Sequence, residues 1–285
     1  MSKLWRCVGA CAAIALTSIC GAIAHAQPAL IREPLRIPVA NNGAAAELDA
    51  LVVRRDGSQR LPLAIVNHGS PRRASERSTM SPGQFEPQLR IFAQHGYAAV
   101  AVMRRGYGAS SGPFVEGQGR CDSPDYVGAA RRSAADIADA IRHLQTLPWV
   151  DATRVVAIGQ SAGGIGVIAL GAAPPDGVRA IVNFAGGRGS QSDNNVCAED
   201  RLVLAFGAFG RGAAVPSLWL YAENDLYFRP DLARRFEQAY AAAGGRADLL
   251  IVPPNGPDGH GYFRRGLDDW PGRVFGFLRA RGLPG

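Results

Sequence analysis

The sequence is poor in the residues that bind metal ions. It contains five cysteines and five histidines in 285 residues, and no histidine stands at ligand spacing from Cys121 or Cys197. Structural and catalytic zinc sites need closely spaced thiolate and imidazole ligands. The sequence therefore predicts no metal site.

Patterns typical of several other protein classes are also missing. No internal repeat or low-complexity tract divides the chain, and the Pro-containing segment 27–38 is the nearest approach to a linker. The formal net charge is +7, but the arginines are scattered, which argues against nucleic-acid binding. Segment 104–110 lacks both the third glycine of a dinucleotide-binding motif and the Gly-Lys-Ser/Thr of a phosphate-binding loop. We therefore interpret it as a structural turn and predict no cofactor.

Residues 1–26 have the pattern of a signal peptide. Lys3 and Arg6 precede a long uncharged stretch that ends in an Ala-His-Ala cleavage site at 24–26. The stretch is too rich in alanine for a membrane anchor, which needs about 20 strongly apolar residues. Cys11 comes too early in it for a lipid-attachment site. We predict a periplasmic or secreted protein with no stable membrane anchor after cleavage.

Two cysteines, Cys121 and Cys197, remain after the predicted signal peptide. Both lie in loop-like sequence, and two cysteines in an oxidising compartment favour one disulfide over two free thiols. Around Cys197, residues 185–215 interrupt the regular pattern and are a candidate cap insertion. A disulfide would tie that cap to the loop before the long helix 125–147.

Residues 27–285 alternate between predicted strands and helices, with no boundary between domains. The predicted strands are 48–54, 61–67, 97–103, 155–158, 178–184, 217–222 and 248–252, and the predicted helices are 85–95, 125–147, 165–170, 198–206, 231–243 and 268–281. This alternation predicts one α/β domain with a mainly parallel sheet and helices on both faces. In such a sheet, reactive groups collect at the carboxyl ends of the strands.

The motif with the most chemical content follows the strand 155–158. Residues 159–163 match G-x-S-x-G and lead into the helix 165–170. A serine on so tight a turn has strained backbone angles and an exposed hydroxyl. The N–H of Ala162 would lie at the helix N-terminus, where partial positive charge stabilises an oxyanion. The alternative is a glycine-rich turn whose serine only caps the helix.

Two further polar side chains, Asp225 and His260, follow other predicted strands. Together with Ser161 they can form a triad, because serine needs a neutral imidazole to accept its proton and the imidazole needs a carboxylate to fix its tautomer. Glu223 could replace Asp225 as the acid. His68, after the strand 61–67, is interpreted as a structural brace of its loop.

Four stretches together resemble the α/β-hydrolase superfamily, nearest to its dienelactone-hydrolase-like and prolyl-oligopeptidase-related branches. They are residues 68–70, 105–110, 159–163 and 258–261, and with Asp225 they stand in the family's order. The resemblance implies Ser161 as nucleophile, His260 as general base and Asp225 as its orienting acid. It also implies an oxyanion hole formed by the N–H of Ala162 and by Ser70 or Gly69.

The chain departs from dienelactone hydrolases at one position, because those enzymes use a cysteine where this chain has Ser161. This difference argues against dienelactone as substrate and for a serine esterase that acts on a small-molecule ester through an acyl-enzyme. Within the same fold, a peptidase or amidase is the alternative, although no propeller-sized domain is present. A binding protein on an inactive hydrolase scaffold is the alternative from another class. No pattern specifies an oligomeric state.

Overall fold

A computed structural model describes residues 1–2, 29–40, 45–57 and 59–285. Apart from its first two residues, the predicted signal peptide 1–26 lies outside the described residues. It therefore stays a prediction.

The described residues begin with three strands in succession, and from α1 onward helices and strands largely alternate. The strands are β1 (Leu30–Val39), β2 (Ala46–Arg55), β3 (Leu61–Asn67), β4 (Ala98–Val102), β5 (Val150–Gln160), β6 (Val178–Phe184), β7 (Ser190–Ser192), β8 (Asn195–Val196), β9 (Ser217–Ala222) and β10 (Ala247–Val252). The α-helices are α1 (Glu86–Gln94), α2 (Tyr126–Gln145), α3 (Ala162–Gly171), α4 (Glu199–Gly210), α5 (Pro230–Ala242), α6 (Tyr262–Arg265) and α7 (Trp270–Arg279). Every strand and helix predicted from the sequence has a counterpart among them, with ends shifted by a few residues.

The main sheet has eight strands in the order β1-β2-β4-β3-β5-β6-β9-β10. From β4 to β10 neighbouring strands are parallel, whereas β1 and β2 pair antiparallel at one edge and β2 also pairs antiparallel with β4. This is the α/β-hydrolase fold. It brings the carboxyl ends of β3, β5, β9 and β10 to one edge, and each of these strands leads into a residue of the predicted site.

Both faces of the sheet are covered, which explains the continuous apolar runs of the central strands. On one face α2, α3, α4 and α5 pack against the sheet, and their apolar side chains form one core cluster with it. On the other face α1 and α7 form a second cluster, which includes the stacked rings of Phe92 and Trp270. None of the described helices is both long enough and apolar enough to span a membrane.

The segment that we interpreted as the nearest approach to a linker is a strand. Residues 30–39 pair along their full length with β2, and Pro34 and Pro38 lie within them. Proline lacks a backbone N–H and is therefore tolerated mainly on edge strands. Because β1 is the edge strand of the sheet, one side of its backbone needs no hydrogen-bond partner. The two prolines are therefore compatible with a strand, and our interpretation of the segment as linker-like was wrong.

The predicted disulfide between Cys121 and Cys197 is present, with the two Cα atoms 4.9 Å apart. The predicted cap is smaller than expected, because α4 packs against α5 and buries Leu202 and Phe206 in the main core. Within segment 185–215, β7 and β8 form a hairpin that is separate from the main sheet. The disulfide therefore ties this hairpin to the loop before α2.

Candidate active site

Ser161 occupies a sharp turn between β5 and α3. Its backbone angles are φ 55° and ψ −119°, a left-handed conformation that is strained for a residue with a side chain. Its N–H donates to the carbonyl of Phe184, and its carbonyl accepts from Gly187, so the turn is held by the loop after β6. A Cβ on Gly159 would lie 2.2 Å from the carbonyl oxygen of Gly163. Strand and helix can pass this closely only with glycine at that position.

Asp225 and His260 are in contact at the ends of β9 and β10. Oδ2 of Asp225 lies 3.2 Å from Nδ1 of His260, while Oδ1 accepts hydrogen bonds from the N–H groups of Tyr227 and Phe228 at 2.7 and 2.9 Å. The carboxylate is thus fixed by its own turn, with one oxygen directed at the imidazole. When Nδ1–H donates to this carboxylate, the Nε2 atom of His260 is left as a proton acceptor.

The imidazole is also held by aromatic packing and by its backbone. The ring of Tyr227 stacks on it at 3.9 Å with an angle of 7° between the planes, and Phe228 contacts it edge-on. The carbonyl of His260 accepts from Nε2 of Gln160 at 3.0 Å. Because Gln160 directly precedes Ser161, this bond connects the histidine loop to the serine turn.

The loop after β3 lies directly against Ser161. A Cβ on Gly69 would lie 2.9 Å from Cβ and 3.5 Å from Oγ of Ser161. Among the described residues, the N–H groups of Gly69, Ser70 and Ala162 have no protein acceptor. Unpaired N–H groups beside a serine hydroxyl are suited to donate hydrogen bonds to the negative oxygen of a tetrahedral intermediate.

His68 braces this loop, as the sequence predicted. Its Nε2 accepts the N–H of Arg104 at 3.0 Å, and its Nδ1 lies 2.6 Å from the carbonyl oxygen of Gly69. Burial, together with the charge of Arg104, lowers the pKa of His68 to about 3. The imidazole is therefore neutral, and its Nδ1–H donates to Gly69 and fixes the carbonyl of that residue.

A buried ionic cluster that the sequence did not reveal lies under the same loop. Glu116 binds Arg104 through both carboxylate oxygens and accepts from Nη2 of Arg188 at 2.6 Å. Burial raises the pKa of Glu116, but the two guanidinium groups outweigh it and hold the pKa well below its ordinary value. The hydroxyl of Tyr107 lies 3.2 Å from Glu116 Oε2 and 3.0 Å from Ser70 Oγ, so the cluster reaches the serine loop.

Replacing Glu116 by glutamine should lower the free energy of unfolding at neutral pH by about 3–5 kcal/mol, because two buried guanidinium groups lose their counter-charge. The pKa of Glu116 is lower in the folded than in the unfolded chain. Its contribution is therefore complete above about pH 4.5, its ordinary pKa, and is lost as the pH falls through the folded value. Urea unfolding at pH 7 and pH 4 should show a smaller pH dependence for Glu116→Gln than for wild type.

The matched control for this measurement is Glu33→Gln, which removes an exposed ion pair with Arg54. Such surface pairs contribute at most about 1 kcal/mol. Equal destabilisation by both substitutions would show that the buried cluster contributes no more to the free energy of unfolding than an exposed ion pair does.

Two cavities meet at Ser161 and share Ser70, Pro71 and Tyr227 as walls. The larger, about 400 Å³, is the histidine cavity, and its other walls include His260, Gln160, Met80 and Phe85. The smaller, about 210 Å³, is the arginine cavity, and its other walls include Ala162, Phe114, Arg72, Arg77 and Arg188. No group of three or more His, Cys, Asp or Glu side chains among the described residues is placed to hold a metal ion.

Ser161 and His260 line the same cavity. Ser161, Gly69, Ser70 and Ala162 lie around the serine turn, and Asp225 contacts His260. Glu223, the alternative acid, is exposed to solvent. Sequence reasoning did not place Tyr107, Glu116 or Arg188 at the site, although Tyr107 lies in the stretch 105–110 that carries the family resemblance.

Comparison with known proteins gives one family and a set of structural relatives. Residues 42–228 match the model of the X-Pro dipeptidyl-peptidase (S15) family. No curated protein sequence matches the chain.

Solved structures from several organisms share the fold. Thermogutta terrifontis esterase 2, phosphorylated by paraoxon, is 18% identical with a TM-score of 0.61, and the match covers 89% of this chain and 95% of that one. A Pyrococcus furiosus esterase is 14% identical with a TM-score of 0.59, over 87% and 90% of the two chains. A Klebsiella pneumoniae protein classed with the dienelactone hydrolases is 19% identical with a TM-score of 0.54, over 88% and 97%. At sequence identities this low, the comparison shows a shared fold and is not evidence for a shared substrate.

Proposed function

The chain belongs to the X-Pro dipeptidyl-peptidase (S15) family and is a serine hydrolase, and from this we propose that it cleaves small carboxylic esters through an acyl-enzyme formed on Ser161. The observation that carries the proposal is the arrangement at the carboxyl edge of the sheet. A strained serine turn, a histidine bound to a fixed carboxylate, and unpaired N–H groups lie where two cavities meet, with the serine in the wall of both cavities and the histidine in the wall of one.

In the first half of the reaction, Oγ of Ser161 attacks the ester carbonyl while Nε2 of His260 takes the serine proton. The carboxylate of Asp225 stabilises the imidazolium that forms. The N–H of Ala162, together with Gly69 or Ser70, binds the oxyanion. His260 then returns the proton to the departing alcohol, which leaves the acyl group on Ser161.

In the second half, water replaces the alcohol. His260 removes a proton from the water as it attacks the acyl carbonyl, and the same N–H groups bind the second oxyanion. Collapse of this intermediate releases the carboxylic acid and returns the proton to Ser161. No cofactor takes part in these steps.

The family name raises a second candidate, cleavage of X-Pro dipeptides from a peptide N-terminus. Such a substrate carries a positively charged amino group, which requires an available carboxylate in the cavity. Among the described residues, the carboxylates that line the two cavities are Glu76, which pairs with Arg73, and Glu116, which binds two arginines. Because both carboxylates are already paired with arginines, the cavity walls favour an ester substrate over a peptide with a charged N-terminus.

Labelling and turnover test the two candidates together. We expect a fluorophosphonate probe to label the folded protein and p-nitrophenyl butyrate to be hydrolysed, with Gly-Pro p-nitroanilide at least about a hundredfold slower in kcat/KM. Faster cleavage of the anilide would establish the peptidase instead. Absence of labelling in the folded protein would favour a binding protein on a hydrolase scaffold.

Export to the periplasm or the medium is part of the same proposal. It rests on the signal-peptide pattern of residues 1–26 and on the disulfide between Cys121 and Cys197, since disulfides persist mainly in oxidising compartments. N-terminal sequencing of protein from the producing cell should begin at Gln27.

A further inference from the structure

The arginine cavity has an excess of positive charge beside the reactive serine. Arg72, Arg77 and Arg188 line it, whereas Glu116 is the one carboxylate among its described lining residues. An unbalanced positive charge next to a small cavity is a binding determinant for an anion.

Arg188 is the most buried of the three, with 6% of its surface exposed. Its Nη2 donates to Glu116 and to Ser133 Oγ, and its Nη1 donates to the carbonyl of Glu116. Its Nε is buried and has no hydrogen-bond partner among the described residues. Glu116 is also the partner of Arg104, so two buried guanidinium groups share one carboxylate and one positive charge remains uncompensated.

Arg77 adds a second charge at the cavity wall. Its guanidinium lies 3.8 Å from the ring centre of Phe114, and no carboxylate of the described residues is within ion-pair distance of it. Arg72 differs, because it pairs with Asp193 at 3.0 Å and stacks on Tyr227. Arg77 is therefore the guanidinium of this wall with no carboxylate partner among the described residues, and Arg188 adds the positive charge that Glu116, shared with Arg104, leaves uncompensated.

The position of His260 decides which half of the ester meets these charges. His260 lines the histidine cavity and not the arginine cavity. Because it must deliver a proton to the departing alcohol, the alcohol lies in the histidine cavity. The acyl group then lies across Ser161, in the arginine cavity.

We propose that the acyl part of the substrate ends in a carboxylate that binds Arg77 and Arg188, so that the enzyme acts on half-esters of short dicarboxylic acids. The inference rests on the proposed esterase function and names its substrate class. The cavity of about 210 Å³ limits the acyl chain to a few carbons. Water adds across the ester bond, and the products are the alcohol and the dicarboxylate.

The kinetic test compares two esters with five-carbon acyl chains, mono-p-nitrophenyl glutarate and p-nitrophenyl valerate. We expect wild-type kcat/KM to be at least about tenfold higher for the glutarate half-ester than for the valerate ester. A tenfold ratio corresponds to the free energy that one hydrogen bond to a charged group contributes. In Arg77→Gln this ratio should fall towards one. Arg73→Gln is the matched control, because Arg73 is a near neighbour on the same loop, its side chain is 81% exposed and it does not line the cavity. That variant should keep the wild-type ratio.

A binding measurement decides the inference independently of turnover. Glutarate should raise the melting temperature of the Ser161→Ala protein, and adding Arg77→Gln should abolish the increase. A ratio near one in wild type, with no glutarate effect on Ser161→Ala, would overturn the half-ester inference while fluorophosphonate labelling would still support the hydrolase. If labelling and ester turnover both fail, the proposed function falls, and the glutarate shift still shows whether the anion site exists.

Discussion

Ser161→Ala is expected to lower kcat for p-nitrophenyl esters by about 10⁴–10⁶-fold and to abolish fluorophosphonate labelling. The reason is that the acyl-enzyme cannot form without Oγ, and the oxyanion donors alone accelerate the reaction of water only weakly. The substitution removes one hydroxyl from a left-handed turn whose backbone hydrogen bonds do not involve the side chain. The fold should therefore be retained, which unfolding midpoints of the two proteins can verify.

Ser78→Ala is the matched control for this experiment. Ser78 lies on the surface, in the segment that borders the cavities, and its hydroxyl donates to the carbonyl of Ser75. Its replacement should leave labelling and turnover at the wild-type level. Turnover that survives in Ser161→Ala would place the nucleophile elsewhere.

Asp225→Asn should lower kcat by roughly 10³–10⁴-fold at neutral pH while leaving the protein folded. An asparagine amide can donate to Nδ1 of His260, which would place the imidazole proton on Nε2. His260 would then be unable to accept the proton of Ser161. The asparagine oxygen can still accept from the N–H groups of Tyr227 and Phe228, so the turn after β9 should persist.

Glu223→Gln is a closely matched control, since it removes a carboxylate two residues away that is exposed to solvent. We expect its kcat to stay within about twofold of wild type, as for a surface change away from the reacting groups. Side-by-side ester kinetics of the two variants would assign the acid. A large loss in Glu223→Gln together with a small one in Asp225→Asn would reverse the assignment.

The parts of the fold that follow from local physics could be predicted from the sequence. Parallel strands buried on both faces are expected to be continuously apolar, and residues 98–102 and 155–158 show this directly. The edge strand β1 escaped prediction because its two prolines are typical of a linker. An edge strand tolerates proline, but the position of a strand in the sheet is a property of the whole fold.

The candidate site divides in the same way. Ser161, Asp225 and His260 could be proposed together from the sequence, because each follows a recognisable strand and has the chemical type that a triad requires. Glu116 and Arg188 were not, because they are 72 residues apart and meet only after the fold is complete. A charged residue in a loop is normally solvated, so nothing in the local sequence indicates that these two are buried.

The disulfide between Cys121 and Cys197 has a consequence for the entropy of substrate binding. It spans 76 residues, and closing so large a loop restricts the unfolded chain by about 4 kcal/mol in the chain-entropy description. The two segments that it joins also carry wall residues of the arginine cavity, Gln118 on one side and Ser190 on the other. The wall segments are therefore already ordered in the folded protein before the ester binds. A flexible wall would lose conformational entropy on binding, and this loss would weaken the binding. With an ordered wall that cost is absent, so the contacts with the acyl group contribute more fully to the binding free energy.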